Sequence, residues 1–200
     1  MPGPAAAIVL AGGGGLRLGG VDKPELADRA GRTLLDRVLA AVSGALVVVV
    51  GPPRSLAPGI LAVREHPPDG GPAAAVAVGC LALSASSSPQ SQLPPDALVA
   101  VLAADLPYVT AGTVDRLCAA LDSDPTAHGA LLIDSSGRRQ LLVGVWRQGA
   151  LLAAVRQRES WYGASVKELL APIQVVESPA LGDEFVDIDT PDDLRRWRER

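Results

Sequence analysis

With 200 residues, 48% of them apolar and 20% charged, the chain can bury one sizeable α/β core and is too apolar to be disordered. A net charge of −4 argues against a general nucleic-acid binder, which needs a basic face, but leaves room for a nucleotide, which needs only a few local cations. No apolar run reaches the length of a membrane span, and no basic stretch precedes a hydrophobic one near Met1, so a cytoplasmic protein is expected.

Ala5 to Leu10 is a short apolar run that reads as a buried first strand. Five glycines then fall among the eight residues from Gly12 to Gly19, a density that suits a loop whose backbone passes very close to something. Arg17 stands inside this loop and Lys23 closes it. Backbone N–H groups, a guanidinium and an ammonium are what a polyphosphate requires. The P-loop pattern G-x-x-x-x-G-K-[ST] fails, because Gly19 and Gly20 are followed by Val21, Asp22, Lys23 and Pro24. The dinucleotide pattern wants a helix at the loop, whereas Pro24 and the non-periodic 24–31 segment delay the first helix to about Thr33. Because Pro24 restricts the residue before it to extended conformations, Lys23 is expected to project back over the glycine loop.

Thr33 to Val42 carries apolar residues at 34, 35, 38, 39 and 42, a helix with one buried face. Leu46 to Val50 is a strand covered on both faces, and Leu61 to Val63 a shorter one. Pro72 to Leu83 is a helix of small residues, followed by a Ser/Pro/Gln-rich stretch to Pro95 read as a mobile surface connection. Ala97 to Ala103 is another buried strand and Val109 to Leu121 another helix. Ala130 to Ile133 and Gln140 to Trp146 bracket a turn at 134–138 and form a hairpin. Helices near 148–158 and 165–170, a strand at 174–176 and a helix from Pro191 complete the chain. The alternation predicts an α/β fold over residues 1–200 as one domain. Its core is a single doubly wound, mostly parallel sheet, Rossmann-like, with one antiparallel hairpin strand.

Ligands of such sheets bind at the carboxyl ends of the strands, and four charged or glycine-rich loops fall there. Asp105 ends a buried strand, where a carboxylate needs a cationic partner. A Mg²⁺ ion carrying nucleotide phosphates is such a partner. Thr110 is the better cap for the following helix, so capping does not account for Asp105. Asp187 and Asp189, two apart on a short strand, point to one face. Thr190, Pro191, Asp192 and Asp193 read as the start of a helix. Glu65, His66 and Asp69 lie in the loop before Gly71 and Pro72. His128 is read as an ordinary residue, Cys80 and Cys118 as buried thiols, and Trp146, Trp161 and Trp197 as packing residues.

Leu10, Ala11, Gly12 and Gly13, then Arg17, Leu18, Gly19, Gly20, Asp22 and Lys23, closely resemble the signature L-A-G-G-x-x-x-R-[ML]-G-G-x-D-K of the molybdenum cofactor guanylyltransferases. These belong to the nucleotidyltransferases of the sugar-nucleotide-transferase-like superfamily. Asp105 and Pro107 match the family's C-D-x-P motif, whose Asp binds Mg²⁺, and Gly71 and Pro72 match its G-P-L segment. The acid that contacts nucleotide in relatives falls on His66, and Gly51 falls where relatives often have Asn. Asp187 and Asp189 stand in place of the family's two Asn, and Gly137 to Leu142 resembles a G-x-x-[QH]-P-L segment without its Pro.

The resemblance, from Ala5 to about Trp197, implies transfer of GMP from GTP to the phosphate of molybdopterin, with pyrophosphate leaving. It implies catalytic roles for Arg17, Lys23 and Asp105. Nucleotide contacts would come from Leu10, Ala11, Gly12, Gly13, Gly19 and Lys23, and from Gly51, His66, Gly71, Pro72 and Asp105. Mg²⁺ would lie on Asp105, Asp187 and Asp189, and Arg138 and Arg139 could meet the acceptor phosphate. Transient contacts with proteins that deliver molybdopterin or receive the product are implied as well. A cytidylyl- or sugar-activating transferase of the same fold, or a non-catalytic nucleotide-binding relic, are the alternative expectations. Ala11, Gly12 and Gly13, against Ala-Ala-Gly in cytidylyltransferases, favour guanine.

Overall fold

The computed structural model describes residues 3–12, 19–85 and 92–199. Seven strands form one sheet in the order β3-β2-β1-β4-β6-β5-β7. They are β1 (Ala6–Leu10), β2 (Leu46–Val50), β3 (Leu61–Val63), β4 (Leu98–Ala103), β5 (Gly129–Ile133), β6 (Arg139–Arg147) and β7 (Val175–Pro179). Only β6 runs antiparallel, to both β4 and β5, so the sheet is mostly parallel with one reversed hairpin strand. The helices are α1 (Leu34–Ala41), α2 (Pro72–Ser84), α3 (Ala111–Ser123), α4 (Gln148–Val155), α5 (Val166–Leu170) and α6 (Pro191–Glu199).

The continuous apolar runs of β1, β2 and β4 are explained by helices on both faces. Ala6, Ile8 and Leu10 of β1 join the core that contains α2, α4 and α5 residues. Ala7 and Val9 join the opposite core with residues of α1 and α3. Successive side chains of a strand alternate faces, so a strand covered twice must be apolar at every position. Gly79 of α2 lets that helix lie close against the sheet, since a Cβ there would fall 2.5 Å from an Ile8 methyl. Trp146, fully buried, lies against Gly129 and Gly144, where any Cβ would strike the indole.

Thr33, Thr110 and Ser165 cap α1, α3 and α5 through reciprocal bonds with the third helical residue. Thr190 and Asp193 make the same exchange at the start of α6. The hairpin turn forms as expected: the Asp134 carboxylate accepts from the backbone of Ser136 and Arg138, and Gly137 takes a left-handed conformation. One feature of the hairpin is absent from the pattern of the chain. Between Leu131 and Leu132 the partner on β6 jumps from Gly144 to Gln140. Leu141 and Leu142 thereby leave the β5 ladder and turn toward the carboxyl edge.

Two expectations are corrected. Asp187 and Asp189 do not lie on a strand: residues 186–189 belong to no helix or strand, and the Ile188 N–H donates to Asp105 O at 3.1 Å. Lys23 is not in an extended run but opens a 3₁₀ turn, Lys23–Glu25. The expected surface connection after α2 lies mostly in 86–91, outside the described residues. Cys80 and Cys118 are buried free thiols, and desolvation raises their pKa values to about 12 and about 11. No described helix is long and apolar enough to cross a membrane.

Candidate active site at the carboxyl edge of the sheet

A cavity of about 880 Å³ runs along the carboxyl ends of β1 and β4 and reaches the β5–β6 hairpin. Leu10, Gly12, Lys23, Gly71, Pro72, Asp105 and Asp187 line it, as the strand-edge argument expects. A smaller hollow of about 500 Å³ at the other edge, under Pro95, His128 and Arg147, holds none of the candidate carboxylates.

Asp105, Asp187 and Asp189 converge, each offering a carboxylate oxygen within 4.8 Å of the others. The convergence has a simple local cause. Ile188 is buried with Leu34 and Trp197, which pins the segment against α1 and α6. Asp187 and Asp189, on either side of Ile188, both bring a carboxylate to Asp105. Burial raises the Asp105 pKa, and Asp187 and Asp189 push it further up, while Lys23 opposes them. Burial and then Asp189 raise that of Asp187.

The segment is anchored from its other side by Glu184. Its carboxylate accepts from Thr113 Oγ1 at 2.6 Å, from both terminal nitrogens of Arg116 at 3.0 and 2.6 Å, and from Leu181 N–H at 2.8 Å. Burial works against ionisation of Glu184, but these bonds outweigh it and hold the carboxyl below the usual glutamate range.

Lys23 turns into the cavity, where its ammonium bonds Asp189 and lies 3.7 Å from Asp105; the glycine loop over which it is expected to project lies at 13–18, outside the described residues. The reason is electrostatic. Three carboxylates brought together in a partly desolvated place draw the nearest cation more strongly than solvent does. Residues 13–18, and with them Gly13 and Arg17, lie outside the described residues. Gly19 is described, with a left-handed backbone, but does not line the cavity.

Three other expected contacts move off the site. His66 is exposed and outside the cavity wall; its neighbours Glu65 and Asp69 line the wall instead. Ala11 is fully buried behind the cavity. Gly51 supports it from below, and a Cβ at Gly51 would fall 2.5 Å from Ala11 O. Gly51 therefore serves the close approach of two backbones and does not line the cavity.

Four contributors escaped the reading of the chain. Arg54 is almost wholly buried beside the glycine stretch, Glu25 pairs with it, and Phe185 and Lys167 line the cavity. Arg54 could have been found, since it sits in a loop at the carboxyl edge, after β2, where the other charged loops were sought. At the hairpin end, Arg138, Arg139 and Gln140 face the cavity beside Leu141 and Leu142. An adjoining hollow of about 560 Å³ shares Arg138, Arg139, Leu141 and Lys167 and continues to Trp146 and Leu170.

A doubly wound sheet that gathers a cation and three carboxylates at its carboxyl edge, beside a glycine-rich loop, defines an α/β protein of the phosphate-handling class. The comparisons narrow this: the chain belongs to the MobA-like NTP transferase domain family, whose model matches residues 7–175. It is 34% identical over 197 residues, 94% of this chain and 91% of the relative, to a protein of Acidiphilium cryptum (strain JF-5) named molybdenum cofactor guanylyltransferase. Among solved structures it resembles molybdopterin-guanine dinucleotide biosynthesis protein A from Archaeoglobus fulgidus. There the TM-score is 0.72, with 20% identity and 97% of each chain covered. It also resembles 2-C-methyl-D-erythritol 4-phosphate cytidylyltransferase from Thermus thermophilus, with TM-score 0.65, 21% identity and 98% of each chain covered. At these identities the two structures speak for the shared fold alone.

Proposed function

We propose that this protein transfers GMP from GTP to the phosphate of molybdopterin, releasing pyrophosphate, as one domain spanning residues 1–200. The observation that supports it most is the meeting of Lys23 with Asp105, Asp187 and Asp189 beside the glycine loop. It occurs in a chain 34% identical to a protein named for guanylyl transfer.

The donor set fits Mg²⁺. Carboxylate oxygens are the hard ligands this ion takes, one or two with waters and phosphate oxygens, and an ammonium already lies among these carboxylates, so the place favours a cation. Asp105, with Asp187 or Asp189, would hold the ion, which supplies charge neutralisation at the phosphates when bound. The chain's own residues do the rest by positioning. Gly12 and the amides of the loop, with Arg17 and Lys23, cradle the β- and γ-phosphates, and Lys23 meets the charge that grows on the leaving pyrophosphate. Gly71 and Pro72 open α2 and shape the wall between the two ends of the cavity. Arg138 and Arg139, with Lys167, meet the acceptor's phosphate, and the adjoining hollow takes its bulkier end. An acceptor phosphate is ionised near neutral pH, so attack needs orientation and no general base. A cytoplasmic setting, and passing contact with proteins that bring molybdopterin or take the product, belong to the same reading.

Thermal unfolding with each of GTP, CTP, UTP and ATP plus Mg²⁺ tests it. GTP should stabilise most, by about 2.7 kcal/mol at a hundredfold excess over Kd. An equal or larger effect of CTP would overturn the guanylyl assignment in favour of a cytidylyltransferase, stabilisation by GTP without any pyrophosphate release would favour the relic, and no effect of any nucleotide would overturn the nucleotide site itself.

A further inference from the structure

We propose that Asp69 is a specificity-determining residue that reads guanine, its carboxylate accepting from the two neighbouring donors of that base, N1–H and the 2-amino group. The inference rests on reading the cavity as a guanylyl-transfer site, and it names the group that chooses the base.

The cavity wall divides by charge. Its cations sit at the two ends, Lys23 at one and Arg138, Arg139 and Lys167 at the other. Between them, the stretch from Glu65 to Ala75 brings two carboxylates to the wall, those of Glu65 and Asp69, and no lysine or arginine. Among the described residues neither carboxylate is engaged by a hydrogen bond or an ion pair. A free carboxylate repels a polyanion bound beside it, and so weakens binding unless the ligand brings donors to it. The phosphates of a nucleotide have no donors to bring; the base does. Pro72 and Ala75, on the same wall, offer apolar surface to the faces of a ring.

Asp69 suits the task better than Glu65 because its backbone is fixed. It is held in the left-handed region, at φ 61°. The next residue, Gly70, is buried, and its carbonyl accepts from Gly163 N–H at 2.9 Å. A Cβ at Gly70 would fall 2.9 Å from the Ala74 Cβ and 3.2 Å from the Tyr162 ring, so the turn has no room to shift. A carboxylate on one methylene, carried by such a turn, is already ordered before a ligand arrives, which spares that cost on binding. Glu65 has a longer stem with more freedom to lose. The choice of base follows from the chemistry of the edge. Guanine alone among the four common bases carries two adjacent donors there. Adenine and cytosine set a donor beside an acceptor, and uracil flanks one donor with two acceptors. A carboxylate only accepts, so it takes guanine with both oxygens and turns an unmatched acceptor of any other base against its own charge.

Calorimetry with Mg²⁺ and three purine triphosphates tests this: GTP, inosine triphosphate, which lacks the 2-amino group, and xanthosine triphosphate, which has a 2-oxo group in its place. The wild type should bind the inosine compound about tenfold more weakly than GTP, the effect of one charge-assisted hydrogen bond. Asp69→Asn keeps a residue that tolerates the left-handed backbone and sets a donor opposite the 2-oxo group. It should lose GTP affinity by about tenfold or more and gain affinity for the xanthosine compound. Inorganic tripolyphosphate, which has no base, should bind Asp69→Asn no more weakly than wild type, and Glu65→Gln should leave the order of the three purines unchanged. Equal binding of GTP and inosine triphosphate to the wild type would overturn the assignment. So would unchanged GTP affinity in Asp69→Asn, an equal loss of GTP and xanthosine triphosphate in that variant, or a reversal of preference produced by Glu65→Gln instead. A wild type that prefers CTP to GTP shows separately that the guanylyl reading is wrong, whereas a preference for GTP over CTP without discrimination against inosine triphosphate removes the role of Asp69 alone.

Discussion

The two ends of the carboxyl-edge cavity handle charge in opposite ways. At the glycine-loop end the two basic side chains are withdrawn from water and held by carboxylates. Lys23 is 15% exposed and engaged by two carboxylates, and Arg54 is buried on Ala11, Asp22 and Glu25. At the hairpin end Arg138 and Lys167 are exposed, and Arg139, 54% exposed, shares its guanidinium with Glu177. A charge held in low dielectric acts strongly on its neighbours and needs no rearrangement when a reaction develops charge beside it. An exposed charge is screened and guides binding more than it alters chemistry. The proposed function puts the bond-breaking step at the first end and the acceptor molecule at the second.

The largest expected effect is at the locked end. Asp105→Asn keeps the shape and removes one carboxylate charge, so turnover should fall by a factor on the order of 10² or more, measured as pyrophosphate release, with melting little changed. Unchanged turnover would transfer the metal to Asp187 and Asp189 and weaken the contrast. Lys23→Ala should lower kcat by more than about tenfold, because its charge is used most as the leaving group forms. A rise in nucleotide KM alone would make Lys23 a ground-state contact. The same variant also sharpens the comparison in calorimetry without nucleotide: removing the resident ammonium should tighten Mg²⁺ binding to the three carboxylates a few-fold. Weaker Mg²⁺ binding would show that Lys23 does not compete with the ion.

Glu184→Gln probes the support under the locked end. It should cost about 1–2 kcal/mol near neutral pH, because charge-assisted bonds to Arg116 are lost, as read from denaturant midpoints. Since burial is outweighed by those bonds and the folded carboxyl sits below its ordinary range, the stabilisation is complete above that range. It is lost as the pH falls through the folded value. The gap between wild type and variant should therefore close on acidification; a gap independent of pH would assign it to packing. The smallest effect belongs to the exposed end. Arg138→Ala with Arg139→Ala should raise acceptor KM by about threefold to tenfold, less at high salt, and leave GTP affinity alone. A loss of GTP affinity would erase the distinction between the two ends.

Much of this was written locally in the chain. Residues that alternate across a doubly covered strand must all be apolar, so β1, β2 and β4 announced a parallel sheet between helices. Thr33, Thr110, Ser165 and Thr190 marked helix starts, because a hydroxyl three residues ahead of a matching acceptor satisfies free N–H groups wherever the chain folds. Asp105 was legible at the end of an apolar run, where a carboxylate needs a cationic partner, whereas Asp187 and Asp189 meet it from a segment that is not the strand their spacing implied. Tertiary structure decided what depends on distant neighbours. His66 faces outward and Glu65 and Asp69 inward, which no spacing within that loop distinguishes. Gly51 is required because Ala11, forty residues earlier in the chain, passes 2.5 Å from where its Cβ would be. Lys23 points to Asp105 and Asp189, since the field at its ammonium comes from carboxylates 82 and 166 residues away, and the position of Asp189 follows from the packing of Ile188 against Leu34 and Trp197.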